Sequence, residues 1–324
     1  MTAEAPGNAT YELTEQRARN FVAGLTWFGD WLTDLLAFGL AGVEADPESA
    51  LGDAAAKLTD AQLPAPAAAL REWIGRVGEE AGWSDGLLAE IGHWYPLCRL
   101  GQRLDELTGA QRGGVLGAFG VRMQRAQVEN VTPSGEDYWS CIGSEEGESS
   151  PRLYYRATYW AGGRPDHWAV QLDYNYGAPP TPSQVDVGQA STFGVRVYPG
   201  GLPGRILAPT GYRPERAERP PMHFATWAEQ EAASHALLTR QPWRRELPLR
   251  VGPVTLHPAR DQLLLQDASG SCLALPLDRD ARGSWTLLGA AGGGPAIVYG
   301  LQRGGRVVVL SAWANQRLVR ISST

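Results

Sequence analysis

The chain has 324 residues, enough for about two domains at the usual size. With 43% hydrophobic and 20% charged residues it has a globular composition, which excludes a wholly disordered chain. Its net charge of −6 is unevenly spread: residues 1–150 carry 10 basic and 23 acidic groups, residues 151–324 carry 19 and 12, and the change of sign marks a domain boundary.

The first half reads as helical. From Thr14, apolar side chains recur at Phe21, Leu25, Phe28, Leu32, Leu35 and Leu36, at three- and four-residue spacing. Gly39 and Gly42 loosen the end of that helix. Asp46-Pro47 is a start signal, a capping side chain followed by proline in the first turn. Pro64 and Pro66 open a helix with Leu70, Trp73, Ile74 and Val77 on one face. Ser84 is expected to cap the next, and Pro96 to kink or restart it. Thr108 and Gln111 form a capping-box pattern ahead of Val115, Leu116 and Phe119. Short helices with short links imply antiparallel helical hairpins, a helical domain over 12–128.

A strand from Asp137 to Ile142 is expected to open the second domain, 133–324. Glu145, Glu146, Gly147 and Glu148 read as a solvated acidic loop after it. The period then changes to two. Tyr155, Ala157 and Tyr159 alternate with Tyr154, Arg156 and Thr158, and Trp168, Val170, Leu172 and Tyr174 with Ala169, Gln171 and Asp173. One helix interrupts, from Thr226 to about Thr239, with Thr226 and Glu229 as its capping box. Further strands are expected near 247–256, 262–266, 272–275, 285–288, 296–301, 307–312 and 318–321. Arg303-Gly304-Gly305-Arg306 makes a hairpin turn, and 289–294 a glycine-rich loop linking strands. Many short strands without βαβ alternation give an antiparallel barrel or sandwich with one inserted helix, and an α+β chain.

No Gly-x-Ser-x-Gly or His-Glu-x-x-His occurs, and the single lysine, Lys57, lies in an alanine-rich helix, which excludes a phosphate-binding P-loop there. The five histidines share no ligand spacing with one another or with Cys98, Cys141 and Cys272, so no metal and no cofactor is implied. Isolated cysteines without a secretory signal point to a reduced, cytoplasmic protein. The longest apolar run, residues 35–43, is too short to span a bilayer, and no membrane partner is expected.

Two segments remain as candidate sites. Arg240, Trp243, Arg244, Arg245 and Arg250 combine guanidinium groups with a stackable ring, which suits a nucleic-acid backbone and its bases. The competing reading is a solvated helix end, with arginines favoured by the C-terminal dipole. Asp173, Tyr174, Asn175 and Tyr176 place an acid and two phenols at a strand end, where they would line a pocket. Read structurally, Tyr174 is core, and Asp173 with Asn175 caps the turn before Pro179-Pro180.

The order of segments carries a resemblance. A helical part with Thr59-Asp60-Ala61-Gln62-Leu63-Pro64-Ala65-Pro66 is followed by His167-Trp168-Ala169-Val170-Gln171-Leu172-Asp173-Tyr174. Then come Val197-Tyr198-Pro199-Gly200, Gln241-Pro242-Trp243, Trp285-Thr286-Leu287-Leu288-Gly289 and Val298-Tyr299-Gly300. Over roughly residues 25–315 the chain resembles the portion C-terminal to the zinc finger in bacterial SWIM zinc finger family proteins. The finger itself, Cys-x-Cys followed by Cys-x-His, has no counterpart, so its zinc is not carried over. The resemblance implies a non-catalytic accessory protein with a protein partner, in an assembly with a MoxR-type AAA+ ATPase and a von Willebrand A-domain protein. Nucleic-acid binding through 240–250 and an enzyme pocket near Asp173 remain the alternatives.

Overall fold

Capping side chains, prolines and glycines set where each apolar period begins and ends, and the helices of the first half follow from them. The computed structural model describes residues 9, 11, 13–181, 185–207, 212–277 and 281–321. The chain divides into two units, one of Thr10–Gln124 with Gln241–Trp243, the other of Met1–Ala9, Arg125–Arg240 and Arg244–Thr324.

In the helical unit, α1 (Glu15–Phe38) starts at Thr14, whose hydroxyl accepts the Arg17 N–H at 3.3 Å, and stops at Gly39, where φ is 81°. After α2 (Ala41–Ala45), the Asp46 carboxylate accepts the Ser49 N–H, and a π-helical turn leads into α3 (Asp53–Asp60). Pro64 begins α4 (Pro64–Ile74). Next, α5 (Trp83–Gly101) departs from expectation twice: Gly82, not Ser84, is its N-cap, and it runs through Pro96 unbroken. Buried Trp94, Leu97 and Cys98 flank Pro96, and their packing outweighs the hydrogen bond the proline removes. The Thr108–Gln111 capping box opens α6 (Gly109–Ala118). The core between these helices holds an aromatic chain in which Phe119 meets Phe21 edge-on at 5.6 Å and Trp94 at 5.3 Å.

The β-rich unit begins with α7 (Arg125–Glu129) and continues through β1 (Asp137–Ser150), β2 (Leu153–Ala161), β3 (Trp168–Tyr176), β4 (Gln189–Phe193), β5 (Arg196–Val197), β6 (Gly204–Leu207) and β7 (Glu215–Arg216). After α8 (Trp227–Arg240) come β8 (Glu246–Ala259), β9 (Gln262–Gln266), β10 (Cys272–Pro276), α9 (Arg282–Ala291), β11 (Ala296–Arg303), β12 (Arg306–Ala314) and β13 (Arg317–Arg320). The strands form a seven-stranded sheet, β5-β6-β3-β2-β1-β4-β7, and a six-stranded one, β10-β9-β8-β11-β12-β13. Among the described strands every pairing is antiparallel except β3 with β6. One core joins the sheets, with Ile142, Tyr159 and Trp168 from the first against Tyr299, Leu301 and Leu310 from the second. This is sheet-on-sheet packing in an α+β chain.

Two expectations are corrected here. The acidic stretch is strand, since β1 runs to Ser150, and Glu145 is 7% exposed. Its carboxylate takes both Arg303 Nη atoms, at 3.0 and 2.7 Å, and the Tyr159 hydroxyl at 2.9 Å, which supplies the partners a buried charge requires. Residues 285–288 are helical, not a strand, and Gly289 lies inside α9. A run of Trp-Thr-Leu-Leu satisfies either period; burial of Ser284, Leu287 and Ala291 on one helical face decides it, so the unit carries α9 besides the expected helix.

Candidate functional site

Two surfaces of the β-rich unit collect the chemistry. The first is a tyrosine–arginine face on the seven-stranded sheet. Side chains alternate along β3, so Tyr174 and Tyr176 leave one face while Asp173 and Asn175 leave the other. The expected pocket of one acid and two phenols is therefore split by the strand. Tyr174 is 49% and Tyr176 66% exposed, so Tyr174 is not the core residue the alternation suggested. Tyr155 on β2 faces Tyr174, with ring centroids 6.4 Å apart. The Tyr155 ring lies across Gly147 of β1: a Cβ there would be 2.7 Å from it. Arg205 stands over Tyr174 at 5.8 Å and over Tyr198 at 4.2 Å, and Arg152 over Tyr176 at 5.1 Å. On the opposite face Asp173 accepts a hydrogen bond from Gln171 at 2.7 Å. The turn after β3 is held instead by buried Arg156, which donates to the carbonyls of Pro180 and Thr181 and pairs with Glu146 at 2.6 Å.

The second is a cleft of about 390 Å³ beside α8 and β8. Arg250 and Arg240 line it, together with Gln230, Ser234, Phe224 and Asp166. Arg250 is 3% exposed. Its Nη1 donates to the Arg164 carbonyl at 3.4 Å, its Nη2 donates to the Pro165 carbonyl, and its backbone N–H donates to Gln230 Oε1 at 3.0 Å. Burial pushes its guanidinium down to about 10, which leaves it charged at neutral pH. The other basic-aromatic residues scatter. Arg244 is half-buried, its Nη2 3.6 Å from where a Gly204 Cβ would stand. Arg245 is exposed. Trp243 packs into the core of the helical unit.

An Asp–His pair that sequence reading passed over ties the first residue of β1, Asp137, to His167 on the loop whose Pro165 and Asp166 line the cleft. His167 Nδ1 bonds Asp137, the Trp139 ring stacks on the imidazole at 5.1 Å and 6°, and the Gly163 N–H donates to Asp137 at 2.9 Å. The partners are 30 residues apart, and no local spacing announces them. Among the described residues no group of three or more His, Cys, Asp or Glu side chains is placed to hold a metal ion, and no helix is long and apolar enough to cross a membrane.

Residues 16–118 match the family model described as a SWIM-associated four-helix bundle domain. The match covers the helical unit, in agreement with the sequence resemblance to the region C-terminal to the SWIM zinc finger. No curated protein and no solved structure matches the chain significantly.

Proposed function

With a SWIM-associated helical domain at its N-terminal side, we propose that this chain is a non-catalytic interaction protein whose β-rich unit docks a partner protein through the face of Tyr155, Tyr174, Tyr176, Arg152 and Arg205. The observation that carries the reading is the exposure of Tyr174 and Tyr176 beside two arginines held over tyrosine rings. Tyrosine and arginine are the residue types enriched at interface hot spots, since they offer a broad apolar surface and a polar tip at small entropic cost. The arginines favour a partner that offers carboxylates beside apolar side chains. A MoxR-type AAA+ ATPase and a von Willebrand A-domain protein, implied by the family resemblance, are the first partners to try.

The test is a pull-down with the tagged full chain from its native cell, with and without nuclease, alongside the Tyr174→Ala/Tyr176→Ala variant. Both residues are exposed, so the variant keeps the fold. A protein partner that survives nuclease and is lost with the variant is the expected result. Recovery that vanishes with nuclease would move the reading to nucleic acid, whose bases stack on tyrosine as readily. A partner retained equally by the variant would place the interface elsewhere.

A further inference from the structure

The cleft beside α8 has a feature that structural packing leaves unexplained. Arg250 is a buried cation, yet among the described residues its side-chain partners are two neutral carbonyls, its Nε is sealed from water without an acceptor, and no ion pair includes it. The Phe224 ring, 5.5 Å from the guanidinium, adds a weak attraction. A desolvated guanidinium is costly without a counter-charge, and neutral carbonyls replace only part of its hydration. Among the described lining residues the one carboxylate, Asp166, is exposed; its charge favours the Arg250 guanidinium but makes no ion pair with it, and Arg240, also exposed, lines the same cleft. Among the described residues the charged lining therefore consists of two arginines against one aspartate.

The rest of the lining says what else a ligand brings. Phe224, Leu237, Pro203 and Pro248 form apolar walls, while Gln230 and Ser234 stand as polar groups on the buried side of α8. A volume of about 390 Å³ matches a single large side chain or a small molecule, at the lower end of ligand pockets. An apolar wall with a single excess positive charge selects one negative charge attached to a hydrophobic group.

We propose that this cleft is a binding site for a monoanionic carboxylate carried on an apolar group, with Arg250 and Arg240 as its charge partners and Phe224 and Leu237 as its apolar contacts. The carboxylate can belong to a small organic acid or to an acidic or C-terminal residue of a peptide; the recognised chemistry is shared. This goes beyond the docking face of Tyr174 and Tyr176, which contributes no residue to the cleft lining.

The experiment titrates the full chain with phenylpropionate, using calorimetry and ligand-induced thermal shift. Phenylpropanol serves as the neutral isostere and inorganic phosphate as a competing anion. An acetyl-capped dipeptide ending in phenylalanine, and the same peptide amidated, separate a peptide source from a free acid. The variants are Arg240→Gln and Ala236→Trp, both at exposed lining positions that leave the fold intact, with Arg250→Lys as a third. Saturable binding of phenylpropionate is expected, weakened about tenfold or more by Arg240→Gln as a charge-assisted contact is lost, and abolished by Ala236→Trp, which fills the mouth. A capped peptide that binds more tightly than phenylpropionate, with the amide silent, assigns the site to a peptide terminus; the reverse order assigns it to a free acid. Phenylpropanol binding as well as the acid, phosphate binding more tightly than either, unchanged affinity in Ala236→Trp, or no binding by any probe would each overturn the proposal. The tyrosine face takes no part in this titration, so a failure here leaves the interaction reading standing.

Discussion

The indole of Trp243 occupies the space beside Gly114: a Cβ at that glycine would lie 2.0 Å from Cζ2 and 2.1 Å from Cε2 of the ring. Gly114 lies inside α6, where glycine costs about 1 kcal/mol relative to alanine, and the approach of the indole is the compensation. Gly114→Ala is therefore expected to destabilise the helical unit by about 1–3 kcal/mol, as overpacking does, despite its better helix propensity. Trp243→Ala should also destabilise, and the double variant should recover part of the sum, because alanine at 114 no longer meets a ring. Urea unfolding of the four proteins measures this; additive effects would show that the contact carries no coupling.

The carboxylate of Glu145 and the guanidinium of Arg303 face each other as a two-pronged pair between β1 and β11, with Glu246 2.5 Å from Arg303 Nε. Arg303→Ala leaves Glu145 buried without its cation, and the expected loss is about 3 kcal/mol. Replacing both, Glu145→Leu with Arg303→Met, removes the charge as well as its partner and should cost less than Arg303→Ala alone. Equilibrium unfolding of the single and double variants decides between a pair that is needed and one that is merely present.

Burial raises the Asp137 carboxyl, but the N–H groups of Gly163 and Tyr138 and the His167 ring outweigh it, and the folded-state pKa falls below the ordinary 3.8. A depressed pKa in the folded state adds stability at pH values above the unfolded value, and that stability is lost as the pH drops through the folded value. Asp137→Asn should accordingly be less stable than the parent at neutral pH, with the two curves converging as the pH falls through the depressed folded-state value. Unfolding midpoints measured from neutral pH downward test this; a constant gap across the range would mean that Asp137 acts through shape and not through charge.

Much of this fold was legible along the chain. The capping box at Thr108 and Gln111 and the Arg303–Arg306 hairpin each rest on a few adjacent residues and appear where the local chemistry places them. The errors fall where local patterns are degenerate. A Trp-Thr-Leu-Leu run fits a strand or a helix, and an acidic stretch reads as solvated until Arg303, 158 residues away from Glu145, supplies its partner. At the candidate sites, alternation alone suffices to separate Asp173 from Tyr174, yet it cannot say which face of a strand stays uncovered.

The sequence by itself determined most of the helices and strands, α9 and the far half of β1 excepted, together with the change of period between the halves and the charge contrast that accompanies it, because these depend on spacing within a few turns. Tertiary structure decided the rest. It drew Trp243 into the helical core while Arg240 and Arg250 came to line one cleft of the β-rich unit, and it joined Asp137 to His167. Spacing specifies which side of an element is apolar; which distant element covers that side is settled by packing, where shape and buried charge select among the arrangements local propensity allows.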